Sequence, residues 1–238
     1  MPGQIPSSAG VSTGVIAKLF YHTVWTLLVV SACVFIPART LDFWQGWAFV
    51  AMSVALPIGV GIYFYKRDPQ AIARRLQRQE QIGLQKILIT LAKILYVCVL
   101  ILCGFDFRFG WTRAHFGAVP WWISGLALVF IATGDIWFVA VLKANSFASS
   151  TIRVEAGQPI AAGGPYRIVR HPMYLGMIVT WLAMPLALGS VVVLPLACLI
   201  VPIFALRLLN EEKFLGRELP GYSAYCQQTR WRLIPFVW

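Results

Sequence analysis

The strongest constraint on this chain is a series of apolar runs, at about 15–37, 44–65, 87–104, 119–142, 173–189 and 191–209. Several reach or exceed the ~18 residues at which a helix can cross a bilayer. Hydrocarbon offers no water to exposed N–H and C=O groups, so each run must satisfy its own backbone as a helix. Of the 238 residues, 59% are hydrophobic and only 12% are charged, about half the charged share of a soluble domain. The fold class is all-α: a polytopic transmembrane helical bundle of about six spans (five to six). The length allows one compact bundle and no sizeable soluble domain.

Short segments separate the runs. Residues 1–14 are small, polar and uncharged, and are expected to form a disordered tail. They lack the basic start of a cleaved signal peptide, so the first run is expected to stay in the mature protein. Trp44 and Trp47 sit where an interfacial aromatic belt belongs. Asp68 suits a helix N-cap and Pro69 a first helical turn. With Ile72, Leu76, Ile82 and Leu84 as a patchy apolar face, loop 66–86 is expected to carry an amphipathic helix on the membrane surface; a solvated loop is the alternative. The aromatic stretch Phe105–Trp111 reads as an interfacial loop. Gly189-Ser190 alone joins the last two runs, which predicts an antiparallel hairpin over 173–209, bent at Pro185, Pro195 and Pro202.

The formal charge is +11, which in a soluble domain would point to nucleic acid. Here the basic residues cluster in loops. Loop 66–86 holds six Lys/Arg, loop 143–172 four, and the segment after 206 five, whereas the opposite loops hold Arg39, Arg108 and Arg113. This asymmetry predicts both termini and the two basic loops on the cytoplasmic side, with contacts to anionic membrane lipids and no nucleic-acid partner.

Common cofactor motifs are absent. There is no P-loop, HExxH or GxSxG, and Gly59-Val60-Gly61 lies in an apolar run with Phe64 where a dinucleotide fingerprint needs glycine. His22, His115 and His171 are far apart and the five cysteines form no CxxC pair, so no metal site is expected. Two charges fall inside runs. Lys93 and Asp135 both lie ~10–12 Å below the same surface at ~1.5 Å per residue, and each needs a partner or water. Either they pair and staple the third and fourth runs together, or Asp135 lines a substrate cavity.

Two polar clusters flank the hairpin. The first, 163–176, opens with Gly163-Gly164-Pro165, a turn that lets backbone approach a ligand. Arg170 and His171 then precede Pro172, which can start a helix and leave N–H groups for a carboxylate. In the second, Arg207, Asn210 and Glu211 fall at i, i+3 and i+4 on one helix face. Glu211 can receive a cation and Arg207 an anion. Helix anchoring and a surface ion pair are the plainer readings of the two clusters.

Taken together, GPYRIVRHPMYLG, RLLNEE, LPGYSAY and RLIP, spread over about 145–238, resemble the isoprenylcysteine carboxyl methyltransferase family and its wider phospholipid methyltransferase relatives. The resemblance implies a methyltransferase region at 143–238 following N-terminal transmembrane helices at 15–142. It implies an S-adenosyl-L-methionine site built from helix ends, contacted by Gln158, Pro159, Ile160, Ala161, Tyr166, Arg170, His171, Pro172, Met173, Tyr174, Glu211 and Glu212. Arg207 matches the arginine that faces the substrate carboxylate, so Arg207 and Glu211 are the expected catalytic pair. Where eukaryotic members have a histidine near position 158, this chain has Gln158.

A substrate carboxylate is already ionised at neutral pH, so alignment and exclusion of water suffice and no triad is needed. The expected activity is methylation of a lipophilic or prenylated, prenylcysteine-like carboxylate drawn from the bilayer. The alternatives are methylation of a phospholipid headgroup amine and, less favoured, an NADPH-dependent membrane reductase of the sterol type.

Overall fold

The computed structural model describes residues 8–67, 83–145, 147 and 157–238. Among these there is no strand. The chain forms helices α1 (Ser8–Ala38), α2 (Trp44–Arg67), α3 (Gly83–Phe109), α4 (Trp111–Phe116), α5 (Trp121–Ala144), α6 (Pro172–Ala187), α7 (Leu194–Cys198), α8 (Ile200–Glu218) and α9 (Tyr222–Gln228), with a 3-10 turn at Gly164–Arg167. Five segments are long and apolar enough to cross a bilayer: Ile16–Ala38, α2, α3, α5 and Leu194–Glu218; α6 is a shorter apolar helix. This is the expected polytopic bundle. Phe20, Trp25 and Leu28 on α1, and Trp121, Trp122 and Phe130 on α5, are exposed, as side chains that face lipid must be.

Several boundaries differ from those expected. Helix α1 begins at Ser8, so the second half of the expected tail is helical; the sequence carries no proline between Ser8 and Pro37 to interrupt it. The expected amphipathic helix of loop 66–86 falls largely at 68–82, outside the described residues. Helix α3 continues through Phe109, absorbing most of the expected aromatic loop, until Gly110 turns left-handed at φ 71°. The last run is two helices, α7 and α8. Pro202 has no N–H to give the Cys198 carbonyl four residues back, so the helix breaks and restarts at Ile200.

Close helix crossings fix the bundle. Helices α5 and α6 lie antiparallel along much of their length. Gly134 and Gly176 meet at their crossing: a Cβ on Gly134 would stand 2.5 Å from Thr180 Oγ1, and one on Gly176 3.0 Å from Trp137 Cδ1. Trp137 Nε1 donates to the Pro172 carbonyl (2.8 Å), and Ser124 Oγ donates to the Leu186 carbonyl (3.0 Å), one at each end of the pair. Helix α1 crosses α3 at Gly104, where a Cβ would strike the Val34 carbonyl oxygen. Gly125, also on α5, has open space instead.

At the far end of the bundle, Asp106 is 3% exposed. Thr112 donates to its carboxylate from both N–H (2.7 Å) and hydroxyl (2.5 Å). The same hydroxyl oxygen accepts the Val191 and Val192 N–H groups (3.0 and 3.2 Å). The turn after Gly189 is thereby tied to the α3–α4 corner, and the expected hairpin forms with α8 returning beside α6.

These crossings make a simple prediction. Gly104→Ala should destabilise the protein by ~1–3 kcal/mol, the usual range for overpacking, and lower its Tm in detergent, because the Val34 backbone cannot step aside. Gly125→Ala should leave the Tm unchanged. Equal Tm values for Gly104→Ala and wild type would contradict the α1–α3 crossing.

Candidate active site

Helix α6 opens without a side-chain cap. Pro172 occupies its first turn and His171 its N-cap position, because proline has no N–H to lose there and its φ already suits a helix. Helix α8 returns alongside and brings Arg207, Glu211 and Glu212 to the same end of the bundle. The two polar clusters therefore meet, around Tyr174.

Tyr174 is 2% exposed and Arg207 8% exposed. Arg207 Nε donates to the Tyr174 hydroxyl oxygen (2.7 Å), and the Tyr174 hydroxyl donates to Glu211 Oε2 (2.8 Å). This chain of charge-assisted bonds separates two spaces. On the Glu211 side lies an open polar cleft with about 780 Å³ of empty space, part of it open solvent. On the Arg207 side lies an apolar chamber with about 1060 Å³, also partly open. Met173 and Tyr174 line both.

The cleft gathers most of the expected site residues: Gln158, Pro159, Ile160, Ala161, Tyr166, Arg170, His171, Pro172, Met173, Tyr174 and Glu211. Arg207 lines the chamber instead. Glu212 lines neither, because Arg170, His171 and Arg232 hold it. Arg232 Nε donates to its Oε2 (2.8 Å), His171 Nε2 lies 3.3 Å from Oε1, and Arg170 Nε lies 3.2 Å from Oε1 in ion-pair contact without the alignment of a hydrogen bond. Beside this clamp the chain pairs backbone to backbone, with Arg170 N–H donating to the Trp231 carbonyl (2.8 Å) and His171 N–H to the Arg232 carbonyl (2.9 Å). Glu212 thus fastens the final segment to the start of α6.

Several cleft residues were not assigned to the site from sequence, although three of them belong to the LPGYSAY motif: Asn145, Phe147, Leu215, Leu219, Tyr222 and Tyr225. The i, i+3 spacing in Gly221-Tyr222-Ser223-Ala224-Tyr225 was the available signal. Gly221 takes φ 83° and a Cβ there would come within 3.0 Å of Ile160, so glycine permits both the left-handed turn and the packing of the 158–161 segment. Tyr225 donates its hydroxyl to the Tyr166 carbonyl (2.9 Å), which also accepts from Thr229 Oγ1 (3.2 Å). Asn145 Nδ2 donates to the Tyr166 hydroxyl (3.3 Å). Burial pushes the Tyr222 and Tyr225 phenols well above the ordinary tyrosine range, so both stay neutral at physiological pH.

The chamber is walled by α3, α6 and α8. Tyr96 meets Trp181 edge-on at 5.4 Å between ring centroids, and Phe204 packs against Tyr174 at 5.5 Å. Gln85, fully buried at the start of α3, donates Nε2 to the Arg207 carbonyl (3.1 Å) and anchors this wall to α8. Lys93 lines the chamber and Asp135 does not. Among the described residues no ion pair joins the two, so they do not form the expected staple. Among the described residues no group of three or more His, Cys, Asp or Glu is placed to hold a metal.

Comparison with known proteins agrees with the motifs. Residues 121–219 match the sequence model of the phospholipid methyltransferase family. Protein-S-isoprenylcysteine O-methyltransferase A of Arabidopsis thaliana is 29% identical over 122 residues, covering 49% of this chain and 61% of that protein. The chain thus spans about three fifths of that relative's length. The resemblance carried by the motifs is borne out at the level of the family.

The Glu212 clamp yields a test of its own. Glu212→Ala leaves Arg170 and His171 facing no carboxylate and should cost ~1–3 kcal/mol, the range for orphaning buried polar partners. It should also loosen the final segment, read as faster tryptic cleavage at Arg230 and Arg232. Unchanged cleavage would mean that the backbone pairs alone hold that segment.

Proposed function

We propose that this chain is a membrane-embedded methyltransferase that uses S-adenosylmethionine to methylate the carboxylate of a lipophilic, prenylcysteine-like acceptor. The observation that carries this reading is the junction at Tyr174. A polar cleft suited to a soluble, charged donor and an apolar chamber suited to a lipid chain meet across one Arg207–Tyr174–Glu211 hydrogen-bond chain. The excess of Lys/Arg in the loops beside the cleft supports a cleft that faces the cytoplasm.

The donor set fits S-adenosylmethionine, which carries a sulfonium, an ammonium, a carboxylate and an adenine. Glu211 supplies a carboxylate for a cation. Tyr166, Tyr174, Tyr222 and Tyr225 supply aromatic faces for a sulfonium or a base. Arg170, His171 and the uncapped start of α6 suit a carboxylate. When bound, S-adenosylmethionine supplies an electrophilic methyl group.

The residues of the chain then have separable tasks. Arg207 holds the acceptor carboxylate at the mouth of the chamber, where the planar guanidinium can orient it. Tyr174, donating to Glu211 and accepting from Arg207, fixes both charged groups without moving a proton. The apolar walls exclude water, so the carboxylate oxygen meets the methyl carbon with little competing solvation. No general base is required, because the acceptor is ionised before it arrives. Methylation of a phospholipid headgroup amine is the second reading, favoured by the phospholipid description of the matching family.

Three outcomes test this reading. S-adenosylmethionine at a hundred times its Kd should stabilise the protein by ~2.7 kcal/mol, whereas NADPH should not shift the Tm. Glu211→Gln should weaken that binding by about ten- to a hundredfold, the loss of one charge-assisted contact, and Arg207→Lys should spare binding yet slow transfer. Labelled methyl should pass to prenylated thioacids, and not to fatty acids or phosphatidylethanolamine, in detergent and in lipid. Label in phosphatidylethanolamine alone would favour the second reading; stabilisation by NADPH alone would overturn both.

A further inference from the structure

The chamber holds a second cation that the junction at Tyr174 does not use. Lys93 lies on α3 about 15 Å along the helix from Gly83 at ~1.5 Å per residue. Leu88, Ile89, Ala92, Tyr96 and Val97 line the chamber with it, a spacing that follows one face of the helix. Lys93 therefore sits midway along the α3 wall, with lining residues before and after it, and is itself exposed. The chamber lining contains Lys93 and Arg207 and no carboxylate. Among the described residues no ion pair reaches Lys93. A cation at membrane depth is costly and persists where it meets water, a counter-charge or a ligand.

We propose that Lys93 is a specificity-determining residue: its ammonium binds an anionic group of the lipophile in the chamber and disfavours acceptors with a cationic head. The inference rests on the chamber being the acceptor site, and it sharpens the acceptor class to lipophilic anions. Lysine suits this role because its charge rides on a flexible four-carbon stem and can follow a mobile lipid. The low-dielectric walls, with Tyr96, Trp181 and Phe204 among them, strengthen attraction to an anion and repulsion of an ammonium alike. An amine headgroup would meet two like charges, at Lys93 and at Arg207.

The test uses the full chain in lipid nanodiscs and a tritiated prenylated thioacid, competed by its methyl ester and by the matching amine. Wild type should bind the thioacid saturably and prefer it to both competitors. Lys93→Met and Lys93→Gln should weaken thioacid binding by about ten- to a hundredfold and reduce the preference over the ester to the part that Arg207 supplies. S-adenosylmethionine affinity should not move, and Lys93→Arg should restore most of the binding. Lys93→Met should also raise the Tm, because it removes a charge that the fold does not need. In turnover, KM for the thioacid should rise with KM for S-adenosylmethionine unmoved. Thioacid binding by both Lys93→Met and Lys93→Gln within about twofold of wild type, or no saturable binding by wild type, would overturn the inference. Binding that depends on Lys93 without methyl transfer to any acceptor would overturn the proposed reaction and leave the binding site standing.

Discussion

Arg207 is a cation buried near the end of a membrane helix, and the protein must answer it from within. A buried charge without a partner is expensive. The answer is the Tyr174 hydroxyl, 2.7 Å from Nε, backed by Glu211 at 2.8 Å. Because Tyr174 lies in the first turn of α6 and the other two lie on α8, this one chain of bonds sets where those helix ends meet. Much of the fold serves that meeting. Gly134 and Gly176 let α5 carry α6 closely, and Thr112 and Asp106 pin the far end of the hairpin. Gln85 ties α3 to the Arg207 carbonyl.

The adjacent glutamates show how neighbours in sequence acquire different work. Successive residues on a helix point about 100° apart at 3.6 residues per turn. Glu211 therefore turns to Tyr174 and the cleft, and Glu212 turns to Arg170, His171 and Arg232. The clamp on Glu212 holds Arg170 and His171 at the cleft wall, so the residues that present the cleft are positioned by one that does not line it. Two glutamates facing the same ligand would have needed two cations in it; here the protein supplies the cations for one.

Much of this was legible in the sequence, for local reasons. Apolar runs are helices in a bilayer whatever surrounds them, so the all-helical bundle followed from hydropathy. The turn at 188–193 is short enough to bring the last apolar run, α7 and α8, back beside α6, so the meeting of the two clusters followed as well. The i, i+4 spacing of Arg207 and Glu211 put them on one face of α8, at successive turns. What stayed hidden depended on facing and on partners far along the chain. Two ion partners of Glu212 are Arg232, twenty residues on, and Arg170, far back along the chain. Equal depth for Lys93 and Asp135 suggested a pair, but depth does not say which way a helix face points. Tyr222 and Tyr225 reach the cleft through the left-handed turn at Gly221. The break before Ile200 needed Pro202 to be weighed against the Cys198 carbonyl rather than as a gentle bend.

The central claim is that donor and acceptor occupy opposite sides of Tyr174. A structure determined with S-adenosylhomocysteine and a prenylated thioacid bound together tests it most directly. The account predicts the nucleoside in the cleft beside Tyr166, His171 and Tyr222, and the acceptor chain in the chamber beside Trp181 and Phe204. The carboxylate should lie at Arg207 and the sulfur should face it, separated by little more than the missing methyl. A nucleoside bound elsewhere, or an acceptor head that does not reach Arg207, would contradict it.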